Sequence, residues 1–294
     1  MKPRRLLLYA HFDPEDVVRD YVVHALRAMR PSCSSIRFAT TSRLPEPERQ
    51  KLASYVDECR ELENVGFDFF MWKRTLEPGD VETYDEIVLM NSSVYGPFCD
   101  PSSMFDAMAQ EPCDAWGITE NLEFDWHVQS YFMVFRKPIL ESDAFGAFWG
   151  SVLPHRSKRQ VIRSYELGLS QWLRDNGFTV RALCPWNRVV TYLESNRHRA
   201  FVFDRNLPRA LWLAVRTAAF LRRWLPWFPI ATVNPTIAFP EELLELGVPF
   251  LKLEVMRDNP FGRDVEAIRW KLKSLGYPTD HLLPPRRTGR SRGE

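Results

Sequence analysis

The run from Tyr84 to Phe98 limits the fold of this chain most. Its apolar stretch, Ile87 to Met90, stops abruptly at Asn91-Ser92-Ser93, and a Gly96-Pro97 turn follows. A buried strand of an α/β sheet delivers small polar side chains to the rim of a cleft in this way. In open α/β sheets, sites lie beyond such strand ends. Taken alone, the run is equally a strand followed by an ordinary polar loop.

The neighbouring segments extend the pattern. Arg5 to Ala10 reads as a first buried strand, and His11-Phe-Asp-Pro14 as the loop after it. Pro14 suits the first turn of a helix, in which Val17, Val18, Tyr21, Val22, Ala25, Leu26 and Met29 recur at helical spacing. Ser35 to Ala39 is a second strand, Arg43 to Arg60 is polar and helix-compatible, and Asn64 to Trp72 is a turn running into an amphipathic segment. Pro101 to Ala109 predicts a helix, Ala115 to Thr119 a strand, and the alternation from His127 to Phe135 another. A long helix is expected from Lys158 to Asn176, stopped by Gly177. Strands alternating with helices argue for an α/β fold with a mostly parallel central sheet flanked by helices.

Beyond Cys184 the chain becomes rich in Arg, Trp and Pro. Further helices are expected at 207–225, 243–246 and 265–275, and a disordered tail at 284–294. The expected division is a catalytic domain over 1–187, a helical, basic and aromatic extension over 188–283, and that tail.

Composition removes several function classes. A formal net charge of +1 does not describe a nucleic-acid polycation. The 5 cysteines are scattered without a CxxC pair, which supports neither a zinc site nor a disulfide framework. Reduced thiols in a cytoplasmic protein are the simplest account. The apolar run after Arg5 is cut short by His11 and Asp13, which argues against a signal peptide. There is no GxGxxG after the first strand, nor a GxxxxGK[ST], HExxH or GxSxG motif.

Certain polar residues stand out against this frame. Ile162, Glu166, Leu169 and Leu173 share one apolar helix face. A carboxylate there is costly to bury unless it is paired or placed at a cleft, where partial desolvation suits a general base. The alternative is an acid at the stripe's edge, paired with Arg163 or Arg159. Asn64, Gly66 and Asp68 precede or open a helix whose amides attract phosphate or sugar hydroxyls. Asp68 is equally an ordinary first-turn acid. His127 and Gln129 share a strand face, and Asp13 follows the first strand, where it would either hold a base or shape a turn. Trp116, Trp126, Trp149, Trp172 and Trp186 suit a filled core better than a sugar platform.

Taken together, these segments resemble the rhamnan synthesis F family of bacterial polysaccharide glycosyltransferases. The resemblance is carried by Leu8 to Asp13, Asn64 to Phe69, Tyr84 to Pro97, Trp116 to Thr119, His127 to Phe132 and Tyr165 to Leu169. Asn234-Pro-Thr236, Pro249-Phe-Leu-Lys252 and Arg257 to Pro260 also carry it. It implies a GT-A like nucleotide-sugar fold, with a divalent ion, Mg2+ or Mn2+, held against the sugar diphosphate by an acid in the loop after the central strand. Here Asn91-Ser92-Ser93 stands where the family has Asn-Asp-Ser, and Ser92 is a poor substitute for an anionic ligand. Other groups then hold the metal, or arginines and helix amides neutralise the diphosphate, or the enzyme is weakened. The spacing of Glu166, Leu169 and Leu173 is similar to the acid-x-x-Leu helix of inverting enzymes of that fold, whose acid deprotonates the acceptor.

The resulting expectation is inverting transfer from a dTDP- or GDP-linked sugar, a 6-deoxyhexose such as rhamnose, to a glycan or lipid-linked glycan. Glu166 is the expected base, and His127 with Gln129 orients donor or acceptor. Asp13, Asn64, Gly66, Asp68, Asn91, Ser92 and Ser93 are expected at the donor. The basic aromatic stretch 207–228 is expected either to lie on an anionic membrane surface or to pack as an ordinary helix. The rival readings are a methyltransferase or nucleotidyltransferase, and a non-catalytic sugar-nucleotide-binding or scaffold subunit of a polysaccharide assembly complex.

Overall fold

In a computed structural model, residues 2–196 and 234–284 are described. Seven strands make one path through the main sheet. In chain order they are β1 (Arg5–His11), β2 (Ser35–Thr40), β3 (Glu58–Glu61), β4 (Glu86–Asn91), β6 (Ala115–Asn121), β8 (Phe132–Arg136) and β9 (Val180–Cys184). In space the order is β3-β2-β1-β4-β8-β6-β9. β1, β2, β3 and β4 are mutually parallel, β8 runs against both β4 and β6, and β9 is parallel to β6. The two-residue β7 (His127–Val128) pairs with the end of β6. β5 (Val94–Tyr95) and β10 (Leu251–Lys252) form a second, two-stranded sheet.

Alternate residues of the central strands supply two cores. Leu7, Tyr9, Val88 and Met90 face helices Asp20–Met29 and Pro101–Ala109 on one side. Leu6, Leu8, Ile87 and Leu89 face helices Phe67–Thr75 and Asp143–Ser151 on the other. Burial on both faces explains why these strands read as continuous apolar runs. The segment after Asn234 shares the first core, through Leu244, Phe250, Leu272 and Tyr277. The basic stretch 207–228 and nearly all of the tail from 284 lie outside the described residues.

Several expected elements take a different form. The stretch 43–60 holds only the short helix Glu46–Gln50 and then β3. β3 is an edge strand of charged residues: Glu58 pairs with Arg37 and Arg60, and Glu61 with Arg49. A charged edge blunts unwanted pairing and carries no apolar alternation to read. The helix expected from Pro14 begins only at Asp20, because the intervening residues form a loop around Asp13. The alternation from His127 to Phe135 is split between β7 and β8. Trp116, Trp149 and Trp186 are buried, whereas Trp126 and Trp172 are half-buried at the edge of the second core.

His11, the last residue of β1, is a load on stability at low pH. Its ring is buried, Nδ1 lies 2.9 Å from Thr40 Oγ1, and Nε2 has no hydrogen-bond partner. Burial lowers its pKa to about 4, against the pull of Asp13 and Glu48. The unfolded chain takes up this proton near pH 6.5, whereas the fold resists it, so stability is full above that pH and is lost as pH falls towards 4. Urea unfolding should show wild type losing ~2 kcal/mol between about pH 7 and pH 5 that His11→Gln does not lose. An equal loss in both would contradict this account.

Candidate functional site

The strand order reverses between β1 and β4: β2 and β3 lie to one side of β1, and β4 with β8 to the other. The crevice beyond the carboxyl ends of such a pair is the ordinary ligand position in open α/β sheets. Here Ser92 N donates to Ala10 O at 3.0 Å, and Phe12 N to Ser92 Oγ at 3.4 Å. Tyr21 Oη donates to the carbonyl of Ser92 at 3.1 Å. These bonds fix the loop leaving β4 at the sheet's rim.

Asn91 organises that rim. Its Nδ2 donates to Asp68 Oδ2 at 2.8 Å, while its Oδ1 accepts from Ser93 N at 3.1 Å and Ser93 Oγ at 2.6 Å. Asp68 lies in the first turn of helix Phe67–Thr75, and its Oδ1 also accepts from Phe69 N. Its carboxyl is held above the usual range, first by burial and then by the negative charge of Glu166. Asp68 and Asn91 are thus bonded at one end of the sheet, within electrostatic reach of Glu166.

The backbone carries Glu166 in an unexpected way. The helix is α-helical over Lys158–Val161, π-helical over Ile162–Leu167, and α-helical again over Gly168–Asp175. Its end is a Schellman arrangement, with Gly177 at φ +81° and Phe178 N donating to Leu173 O. The wide turn changes the buried face to Val161, Tyr165, Leu169 and Leu173. Ile162 and Glu166 are half-buried at its edge, which corrects the expected stripe. Tyr165 locks the turn, its hydroxyl accepting from Leu153 N at 2.7 Å and donating to Leu153 O at 3.1 Å. Glu166 Oε1 accepts from Ser130 N at 3.3 Å, and among the described residues it pairs with neither Arg159 nor Arg163. π turns of this kind recur at functional sites.

Lys252 was not singled out by sequence reasoning. β10 carries it opposite Val94 on β5, and its Nζ donates to Ser93 Oγ at 3.3 Å. The ammonium lies 4.7 Å from the centre of the Tyr131 ring. Burial lowers its pKa and Lys158 adds to that, while Glu166 and Asp68 oppose the shift. The only local hint was its place in Pro249-Phe-Leu-Lys252.

The other expected site residues take different parts. Asp13 is buried and held by Arg19, with Nε to Oδ2 at 2.8 Å and Nη2 to Oδ1 at 3.2 Å, and its backbone bonds to Ser42 Oγ. Its carboxylate shapes the β1 loop. Asn64 is exposed on the loop before the helix. Gly66, at φ +76°, is approached closely by Phe70 and the backbone of Pro154 rather than left open. Gln129 is buried with its amide engaged: Oε1 accepts from Thr119 Oγ1 at 2.8 Å, and Nε2 donates to Asn234 Oδ1 at 3.2 Å and Thr236 Oγ1 at 3.3 Å. It anchors the Asn234-Pro-Thr236 turn. His127 is buried on β7, which packs on the π turn, and its Nδ1 lies 2.9 Å from Asp125 O.

The loop leaving β4 does not by itself fit a divalent ion. Its side-chain oxygens, on Asn91, Ser92 and Ser93, are neutral and already hydrogen-bonded, Ser92 Oγ to Phe12 N and the others within the loop. The ammonium of Lys252 already lies beside Ser93 and feels both Asp68 and Glu166. Mg2+ and Mn2+ favour anionic oxygen ligands and would be repelled by that charge. Among the described residues, no three His, Cys, Asp or Glu side chains converge to hold an ion.

Residues 36–206 match the family described as rhamnan synthesis protein F, which is more than half of the chain. The chain belongs to this family. It is 26% identical over 219 residues to the virulence protein VirA of Vibrio anguillarum, covering 72% of this chain and 66% of VirA. It is 27% identical over 150 residues to the uncharacterized protein y4gN of Sinorhizobium fredii, covering 47% of this chain and 38% of that protein. The matches thus span less than two thirds of these relatives' own lengths. Among solved structures, a 4-diphosphocytidyl-2C-methyl-D-erythritol synthase aligns with 62% of this chain and 89% of its own, at 12% identity and a TM-score of 0.39. Core-mannan synthase A from Aspergillus fumigatus, in its Mn/GDP form, aligns with 49% and 63%, at 8% identity and a TM-score of 0.31. Among the described residues, no helix is long and apolar enough to cross a membrane.

Proposed function

We propose that this protein is a glycosyltransferase that uses a nucleotide-activated sugar, in a GT-A like arrangement, to extend a bacterial cell-surface polysaccharide. One observation carries the reading most. Glu166 and Asp68 are close enough to interact at the switch point of the sheet, although 98 residues separate them. Family membership supports the same conclusion.

In the proposed reaction, the donor's diphosphate lies against the rim formed by Asn91, Ser92 and Ser93. Asp68, fixed by Asn91, hydrogen-bonds the sugar or ribose. Glu166, oriented by Ser130 N, takes the proton of the acceptor hydroxyl. The oxygen then attacks the anomeric carbon from the face opposite the diphosphate. The bond from that carbon to the diphosphate oxygen breaks, its electrons leave with the nucleoside diphosphate, and the configuration inverts. His127, on the strand packed against the π turn, supports the acceptor side. Rhamnose is the sugar that the family's description favours, and a lipid-linked glycan at the inner face of the cytoplasmic membrane is the proposed acceptor.

A thermal-shift panel of UDP, GDP, dTDP and CDP tests the first step, because a ligand that binds only the folded state raises the melting temperature. One of these nucleotides at about 100 times its Kd should stabilise the protein by ~2.7 kcal/mol, a shift of several degrees. No shift with any of them would remove the donor site. Binding without transfer or hydrolysis, with or without manganese, would favour a non-catalytic subunit of an assembly complex.

A further inference from the structure

Resting on the reading of this rim as a nucleotide-sugar site, we propose that Lys252 is the cation that receives the donor diphosphate, in the position where a divalent ion would otherwise be needed. Three observations converge on it. The side chain enters the rim from the opposite layer of the fold, carried by β10, and reaches Ser93 Oγ at 3.3 Å. Its ammonium lies over the Tyr131 ring, 4.7 Å from the centroid, which fixes its direction. Its charge interacts with Asp68 and Glu166, yet neither acid forms an ion pair with it within 4.0 Å among the described residues.

A half-buried ammonium near Glu166, Asp68 and Glu254, with an ion pair to none of them within 4.0 Å, lacks a close anionic partner among the described residues. A diphosphate supplies one. Its oxygens at the rim would accept from Nζ while Ser93 Oγ turns to donate to them, and its negative charge would offset the desolvation of the lysine. As the glycosidic bond breaks, charge grows on the bridging oxygen, and a fixed ammonium stabilises that growth without being rearranged.

The test is calorimetric titration of the full-length protein with dTDP and with GDP, in EDTA and again in MnCl2, beside the corresponding nucleosides. Wild type should bind one diphosphate in EDTA with a Kd within about twofold of that in manganese. Lys252→Met, which keeps an unbranched apolar side chain in place of the stem, should weaken diphosphate binding by about 20-fold or more and leave nucleoside binding unchanged. Lys252→Arg should restore most of the loss, and this rescue separates lost charge from damaged packing. Diphosphate binding that appears only with manganese, or that Lys252→Met leaves intact, would overturn the assignment and leave the glycosyltransferase reading standing. A wild type that binds neither of these, nor UDP or CDP, under either condition would overturn both.

Discussion

Glu166→Gln should lower sugar transfer by about a hundred- to ten-thousand-fold while donor affinity stays within about threefold of wild type. Glutamine keeps the shape, and its carbonyl can still accept from Ser130 N, so the link between the π turn and the β7–β8 connection survives. It cannot take the acceptor's proton. The π turn should hold, because Tyr165 anchors it through both backbone groups of Leu153 and through Phe69, 5.5 Å away. The measurement is transfer rate against donor binding on the same preparation. Loss of both together would make Glu166 a binding residue, and unchanged transfer would remove it from the mechanism.

Gly96→Ala should destabilise the fold by ~2–4 kcal/mol and lower its melting temperature by roughly 5–10 °C. Gly96 lies at φ +115°, a conformation that side chains rarely adopt, and a Cβ there would sit 2.4 Å from the carbonyl oxygen of Pro249. That oxygen accepts from Phe98 N at 2.9 Å, two residues before the Leu251–Tyr95 pairing that carries β10. A shift of Pro249 that relieves the clash disturbs the register of β10 on β5 that places Lys252 beside Ser93, so diphosphate binding should weaken with stability. Gly146→Ala is the contrast. It lies within helix Asp143–Ser151 with nothing within 4 Å of its new Cβ, so the change should be neutral or stabilise by up to ~1 kcal/mol. Equal melting temperatures for the two variants would show that the approach of Pro249 to Gly96 does not hold β10 in place.

The readable parts of the chain were those written in local pattern. β1, β2 and β6 begin at the expected residues, β4 begins one residue before its apolar run, and helix Pro101–Ala109 spans the expected residues. The unread parts lacked that pattern. β3 is an edge strand of charged residues, β5 and β10 have two residues each, and the π turn makes the apparent stripe through Ile162 and Glu166 differ from the buried one. Asp13 and Gln129 show the same limit from the other side. Asp13 reads as a polar group after a strand and Gln129 as one on a strand face, and both are engaged by other partners, Arg19 with Ser42 and Asn234 with Thr236.

By itself, the sequence determined that this chain builds a layered α/β sheet with a polar rim at Asn91-Ser92-Ser93, because apolar periodicity and turn chemistry act over a few residues. Only the tertiary structure decided which charges share that rim. Lys252 stands 159 positions from Ser93 and Glu166 stands 98 from Asp68, so their meeting depends on the register of β10 on β5 and on the docking of a widened helical turn. Long-range packing sets those two alignments, and no local pattern records them.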